Sequence, residues 1–353
     1  MGQKDLPLFL KTKGKRVLIY HTDLDGICSA SLLLKFFGDF ETMPRDGPIV
    51  DGRFLRELAA KKPDLVVVVD IPIDQEWEKM EKLQKLLPEM RLAVIDHHIP
   101  EKRLDCSNCI HINPRFEKKV YIPTSALVYR LLEGMGFKVK PFIWMACMGI
   151  IGDYGYEDCK DVLRECRKMF PQTMGDNPAK SNLRDISECV MSAFLLNGLR
   201  GVEKSLEILV ESKTLEDVKG NRYFLSSDEK VRKEIKSVLA DFEKMRKEHE
   251  EIGLLIYRIT SKLNLASTIS TLAAERHKDK VVIIAKYSDQ YVKISARYQI
   301  GDINMSSLMK VTTEGIGFGG GHEKAAGAVI NRKDYKEFEN RLVRRISELK
   351  GLQ

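Results

Sequence analysis

Leu92-Ala93-Val94-Ile95-Asp96-His97-His98 runs four aliphatic residues straight into three titratable ones. An unbroken apolar run of this length is what a strand covered on both faces of a parallel sheet presents. Two further runs repeat the pattern. Val17-Leu18-Ile19-Tyr20 is followed by His21, Asp23 and Asp25 in HTDLDG, and residues 65–71 read LVVVVDI, with Asp70 closing the valines. Between these runs lie stretches of helical spacing, residues 27–37 and 77–87. Strands alternating with helices are the signature of βαβ units, so the N-terminal half is expected to be an α/β domain with a doubly wound, mainly parallel sheet. More helices are expected over residues 124–132, stopped by Gly134 and Gly136, and over 142–151 and 185–199.

The chain has 353 residues, 43% of them hydrophobic and 31% charged, which is ordinary globular content and enough for two cores. Its longest apolar run, residues 65–69, is far short of a membrane span, and the N-terminus lacks the basic-then-apolar pattern of a secretory signal. A cytoplasmic protein with no membrane partner is expected. The formal charge of +7 suits a polyanionic partner, although the excess is modest and reads as spread along the chain. Seven cysteines is an odd number, and an intracellular chain keeps them reduced. Cys106 and Cys109 have Cys-x-x-Cys spacing, but no second pair completes a zinc site.

Residues 228–250 are heavily charged, yet Val231, Ile235, Val238, Leu239, Phe242 and Met245 fall at helical spacing on one stripe. This predicts a long amphipathic helix, with Ser226 and Glu229 spaced as a capping box at its start. The expected division is a first domain over residues 1–200, a helical linker over 201–250 and a smaller α/β domain over 251–353. In the last, strands are expected over 253–259, 281–287, 291–296 and 328–330, and helices over 266–275 and 335–349.

Acidic and histidine residues recur where buried elements end: Asp23 and Asp25, Asp70, then Asp96, His97 and His98, and Asp153 in GIIGDYG after the apolar helix. In an open parallel sheet the carboxyl ends of the strands converge on one crevice. Singly, an Asp at such a place is most often a helix cap. Together, carboxylates crowded at one edge raise one another's pKa unless a cation compensates them. Mixed oxygen and imidazole donors suit two divalent ions, manganese before magnesium, and a metal pair serves phosphoryl transfer.

With these motifs in order, the chain resembles the DHH phosphoesterase superfamily, whose name is the Asp96-His97-His98 triplet. HTDLDG resembles the first family motif, VVVVD the second, DHH the third and GIIGDYG the fourth, and GFGGGHEKAAGA over residues 317–328 resembles the Gly-rich signature of the DHH-associated domain. The resemblance implies Asp23 on one metal, Asp25 on the other and Asp70 bridging, with His97 and Asp153 joining the second. It places His98 near the scissile phosphate and gives Asp96 the orientation of an imidazole. Many relatives carry a ligand histidine four residues before the first aspartate, where this chain has Ile19; His21, two residues ahead of Asp23, is either the substitute ligand or a nearby hydrogen-bonding group.

In the C-terminal domain, Gly319, Gly320 and Gly321 allow close backbone approach, and His322 is expected to open a short helix whose N-terminus meets phosphate. Ser295 and Arg297 share one strand face, and Arg suits bidentate phosphate contact. Lys293 shares that face, and Asn264 is either a helix cap or a cleft residue. The resemblance implies a RecJ-like exonuclease of the archaeal type, acting on single-stranded DNA or RNA and docking on a helicase or replisome protein. The alternatives are a nanoRNase-like enzyme of short oligonucleotides or cyclic dinucleotides, or a replication scaffold retaining the fold.

Overall fold

The computed structural model describes residues 3–47 and 50–352. The chain divides into two compact units, Met1–Asp228 and Glu229–Gln353.

The first unit is built on five parallel strands, β1 (Arg16–His21), β2 (Glu41–Arg45), β3 (Leu65–Val69), β4 (Arg91–Ile95) and β5 (Cys109–Ile112), in the order β2-β1-β3-β4-β5. Successive residues of each strand enter different cores. Leu18, Tyr20, Val67, Val69, Ala93 and Ile95 pack with helices Leu24–Phe37, Thr124–Gly134 and Ile143–Gly152, while Val17, Ile19, Val66, Val68 and Val94 pack with helices Gly52–Lys61 and Trp77–Leu86. That alternation is why the strands read as continuous apolar runs, and it makes the sheet doubly wound as expected. Chain order reverses between β1 and β3, the switch point at which open α/β sheets place their crevice.

Register then fixes the site. Tyr20 pairs with Val69, and Val69 with Ile95. The residues that follow, His21, Asp70 and Asp96, therefore leave three neighbouring strands at one level. β2 and β5 had no such signal: β2 is a polar edge strand that contains Pro44, and β5 is four residues long.

The second unit has six strands, β6 (Lys247–His249), β7 (Leu254–Ile259), β8 (Val281–Tyr287), β9 (Tyr291–Arg297), β10 (Gly317–Gly321) and β11 (Ala325–Asn331), in the order β10-β11-β9-β8-β7-β6. β7 and β8 are parallel and the other pairs antiparallel, including a β8–β9 hairpin. Helices Ala266–Arg276, Met305–Thr313 and Tyr335–Leu349 accompany the sheet.

Several expectations need correction. The amphipathic helix runs Arg222–Met245, starting upstream of the Ser226–Glu229 pair; Asn221 Oδ1 accepts from the Tyr223 and Phe224 amides instead, at 3.0 and 3.4 Å. Val231, Val238, Leu239 and Phe242 are buried as expected, but Met245 is exposed. Residues 201–250 are not a separate linker, because Val202, Leu206, Leu209, Leu215, Val218 and Phe224 all join the first core. His322 opens no helix: its amide donates to the Ala325 carbonyl at 2.8 Å in the tight turn between β10 and β11. The glycines before it form the edge strand β10, and a Cβ on Gly319 would sit 2.6 Å from the Met309 carbonyl oxygen, so the strand is stripped to let a helix pack on it. Nor is the positive charge spread along the chain. Residues 229–353 carry 24 Lys and Arg against 17 Asp and Glu, which is the whole of the +7. Among the described residues no helix is long and apolar enough to cross a membrane.

Candidate metal centre

Asp23 follows β1 and caps helix Leu24–Phe37, its Oδ1 accepting from the Gly26 amide at 2.9 Å. The helix starts so close to the strand that a Cβ on Gly26 would lie 2.4 Å from the His21 carbonyl oxygen; only glycine fits. The same closeness leaves His21 Nδ1 2.8 Å from Asp23 Oδ2 and 3.5 Å from Asp70 Oδ2.

Asp25, in the first turn of that helix, is fully buried. Its two oxygens accept from the Thr124 amide (2.6 Å) and the Ser125 amide (3.0 Å), the first turn of helix Thr124–Gly134. Carboxylates are favoured there by the orphan N–H groups and the helix dipole.

Asp70 leaves β3 in the left-handed region, φ 61°, a conformation Asp tolerates at modest cost. Its Oδ1 accepts from Thr124 Oγ1 at 3.1 Å and lies 3.2 Å from His97 Nε2. His97 Nε2 is also 3.2 Å from Asp153 Oδ2, which accepts from the Tyr121 hydroxyl at 3.2 Å. Asp96 does not face this group; it binds His98, amide to Oδ2 at 3.1 Å and ring Nδ1 to Oδ1 at 2.8 Å. Burial would raise Asp96, but His98's hydrogen bond and charge hold it below the usual carboxylate range.

Three groups of donor atoms here could hold a cation, His21–Asp23–Asp70, Asp25–His97–Asp153 and Asp70–His97–His98, the atoms of each within 4.8 Å of one another. Asp70 belongs to two of them, and so does His97. The protonation of the group shows how much positive charge it lacks. Asp70 is pushed well up by burial and by the charges of Asp23 and Asp25. Asp25 is raised by burial, with His97 opposing and Asp23 adding. Asp153 rises to about 8 through burial and the charges of Asp25 and Asp23. His21 goes up to about 11: burial would lower it, but hydrogen bonds and charges from Asp23 and Asp70 outweigh that. Protons thus stand where divalent charge would otherwise compensate the carboxylates. Asp70 Oδ2 adds a second sign: it is buried, and His21 Nδ1 meets it at only 3.5 Å. A buried carboxylate oxygen met by one long contact is poorly compensated, and a cation satisfies it. The residues fit a metal pair.

Three residues here were not foreseen. Thr124 joins Asp25 to Asp70, Ser125 completes the cap, and Tyr121 holds Asp153 while its ring lies 5.1 Å from that of His97. The only trace of Thr124 and Ser125 in the sequence is the Pro-Thr-Ser that opens a helix, and Tyr121 leaves none.

The remaining expected residues lie in the second unit. Ser295 and Arg297 do share a strand face. Ser295 Oγ is 2.8 Å from Ser270 Oγ, and Arg297 donates to Thr271 Oγ1 (3.2 Å), Ser295 Oγ (3.3 Å) and Ser267 Oγ (3.0 Å). Helix Ala266–Arg276 supplies Ser267, Ser270 and Thr271, so the guanidinium is held in a fixed pose. Lys293 is exposed, as are Gly321 at the end of β10 and His322 in the turn that follows it. Asn264 does not cap the helix, whose capping residue is Leu265.

The model of the DHH family, N-terminal domain, matches residues 16–150, and that of the DHHA1 domain matches residues 252–348. No curated protein matches the sequence. Among solved structures, RecJ from Thermus thermophilus in complex with Mn2+ superposes with a TM-score of 0.72 at 17% identity, covering 98% of this chain and 54% of its own. This chain therefore spans about half the length of that RecJ. The exonuclease RecJ bound to manganese gives 0.68 at 16% identity, over 98% of this chain and 94% of the other. The pGpG-specific phosphodiesterase PggH of Vibrio cholerae gives 0.52 at 16% identity, over 95% and 99%. At such identities the likeness is one of fold.

Proposed function

From the premise that this chain belongs to the DHH superfamily, a DHH domain followed by a DHHA1 domain, we propose that it is a two-cation phosphodiesterase that degrades single-stranded DNA or RNA from an end and releases mononucleotides. One observation carries the reading: the buried Asp70 sits between His21–Asp23 on one side and His97 on the other, its Oδ2 3.5 Å from His21 Nδ1 and its Oδ1 3.2 Å from His97 Nε2. His21 and Asp23 would hold one cation, Asp25, His97 and Asp153 the second, and Asp70 both. Asp25's amide contacts do not disqualify it, because each carboxylate oxygen has a further lone pair. When bound, such a pair lowers the pKa of water and neutralises charge on phosphoryl oxygens. Manganese suits the mixed oxygen and imidazole donors, and magnesium is the alternative.

The protein's own part is positioning. Asp96 fixes the His98 ring, which would contact the scissile phosphate, and Tyr121 fixes Asp153. In the second unit, Arg297 in its cradle, Ser295, the backbone of Gly319, Gly320 and Gly321, and His322 would contact phosphate groups. The concentration of all excess positive charge in that unit supports a polyanionic ligand there. A cytoplasmic enzyme that also docks on a helicase or replisome protein is consistent with this reading.

A second reading, hydrolysis of short oligonucleotides or cyclic dinucleotides, uses the same cluster and is favoured by the fold shared with PggH over 95% of this chain. A scaffold that has lost activity is disfavoured by the intact acidic set. The deciding experiment is a gel of end-labelled DNA and RNA, from dinucleotides to long oligonucleotides, with Mn2+, Mg2+ or chelator. Stepwise shortening of long single strands supports the exonuclease; cleavage of the shortest species alone selects the second reading; no cleavage with either metal defeats both.

A further inference from the structure

A pocket of about 170 Å³ opens between Asp23 and Asp153, on the flank of the metal cluster. Water occupies about 30 Å³ in the liquid, so the space suits a ring-sized group. Asp23, Asp153 and Glu188 line it, yet most of its open wall is apolar, from Leu24 and Ile151 with Met191 of helix Asn182–Asn197. A hydrated phosphate gains nothing from such walls. A flat, weakly polar ring does.

Tyr154 also lines the pocket. It is the residue after Asp153, its backbone is left-handed at φ 55°, and it is 65% exposed. A bulky residue in that region is an outlier, and such outliers gather at ligand sites. The ring is nonetheless fixed by two neighbours. Tyr156 meets it edge-on at 6.3 Å and 88°, and the Arg184 guanidinium lies 5.9 Å from its centroid while donating to Glu188 Oε1 at 3.0 Å. An exposed aromatic held still beside an apolar pocket is a stacking surface.

Building on the phosphodiesterase reading, we propose that this pocket takes the nucleobase adjoining the phosphate on the metal cluster, with Tyr154 as the stacking face and Arg184 as the residue that positions it. The enzyme then prefers diesters that bear a base at this position over those that do not, whatever their overall charge. Base stacking on an aromatic is worth about 1–3 kcal/mol, a preference of roughly 5- to 150-fold.

The test uses the full chain with Mn2+ and two dinucleotides, one of ordinary composition and one abasic on either side of the scissile phosphate. Wild type is expected to show a KM lower by that factor for the ordinary substrate. Tyr154→Ala should collapse the ratio towards one, Tyr154→Trp should restore it, and Arg184→Ala should reduce it partly, through KM rather than kcat. A ratio unchanged in Tyr154→Ala overturns the proposal, as does a wild type indifferent to the base. Calorimetric binding of the ordinary dinucleotide separates this from the parent reading. A wild type that binds it more tightly than Tyr154→Ala yet cleaves neither substrate sinks the phosphodiesterase and upholds the pocket, whereas equal binding sinks the pocket.

Discussion

Asp25 caps a helix that begins 99 residues further along the chain: its Oδ2 accepts the Thr124 amide at 2.6 Å. Asp70, its neighbour in the cluster, has at Oδ2 no backbone amide but a long contact to His21 Nδ1 at 3.5 Å. The two aspartates therefore answer differently to substitution. Asp25→Ala loses a cap worth about 0.5–2 kcal/mol and should lower the metal-free melting temperature. Asp70→Asn relieves repulsion among buried carboxylates and should leave that temperature unchanged or higher, the usual sign of a site strained for function. Both should lower turnover with Mn2+ roughly a thousandfold or more, since each loses several kcal/mol of charge stabilisation. Full activity of Asp70→Asn would remove the basis of the metal assignment.

The metal-free protein should lose stability as pH rises. Asp153, at about 8, and His21, at about 11, keep protons in the fold that the unfolded chain releases near 4 and 6.5. Stability from such raised groups is complete below the unfolded values and is lost as pH climbs through the folded ones. The window runs from about 4 to about 8 for Asp153, and from about 6.5 to about 11 for His21. Metal binding has the opposite slope because the ligands must be deprotonated. Melts in chelator should therefore fall across neutral pH, while the increment on adding Mn2+ grows. A metal-free melting temperature that climbs over this range would contradict the clustering of these groups.

Gly149 sets the space in which Asp25 sits. A Cβ there would lie 2.1 Å from Ser125 Oγ and 2.3 Å from Asp25 Oδ1, inside any allowed contact. Alanine normally favours a helix interior over glycine by up to about 1 kcal/mol, but overpacking costs about 1–3 kcal/mol, so Gly149→Ala should be net destabilising and should weaken Mn2+ binding. Gly134 is the control: its Cβ would meet nothing within 4 Å, and alanine there should be neutral or slightly stabilising. Urea unfolding of the two variants, with Mn2+ titration, decides the point; equal behaviour would mean that Gly149 relaxes without cost.

What was legible in the sequence follows from these geometries. His21, Asp70 and His97 could be grouped because an apolar run and the titratable residues ending it are adjacent in the chain, and parallel pairing carries that adjacency into space. Thr124 could not be read, because its meaning depends on a helix end meeting Asp25 and Asp70 from far along the sequence. The run from Gly317 to Gly321, expected as a loop, is a strand. A glycine-rich phosphate loop and a strand pared down for helix packing have the same composition, and only the position of Met309 against Gly319 tells them apart. The charge asymmetry was countable from the start, yet it becomes visible only when the chain is divided at Asp228, inside a continuous helix.

Arg297 donates to three hydroxyls, which distinguishes it from a free surface cation. Holding it so leaves less side-chain entropy to lose on binding, and a planar fork is what a phosphate diester requires. Arg297→Ala should raise KM for oligonucleotides by one to two orders of magnitude, about 1.5–3 kcal/mol for a charge-assisted contact, with kcat little changed. Arg297→Lys should not rescue it, because an ammonium cannot satisfy Ser267, Thr271 and Ser295 while reaching a phosphate. Losing one phosphate contact should also flatten the dependence of log affinity on log salt by about 0.7 for a single strand. If the lysine variant binds like wild type with the same salt slope, Arg297 is only a structural partner of helix Ala266–Arg276, and the phosphate contact belongs to another residue of that unit.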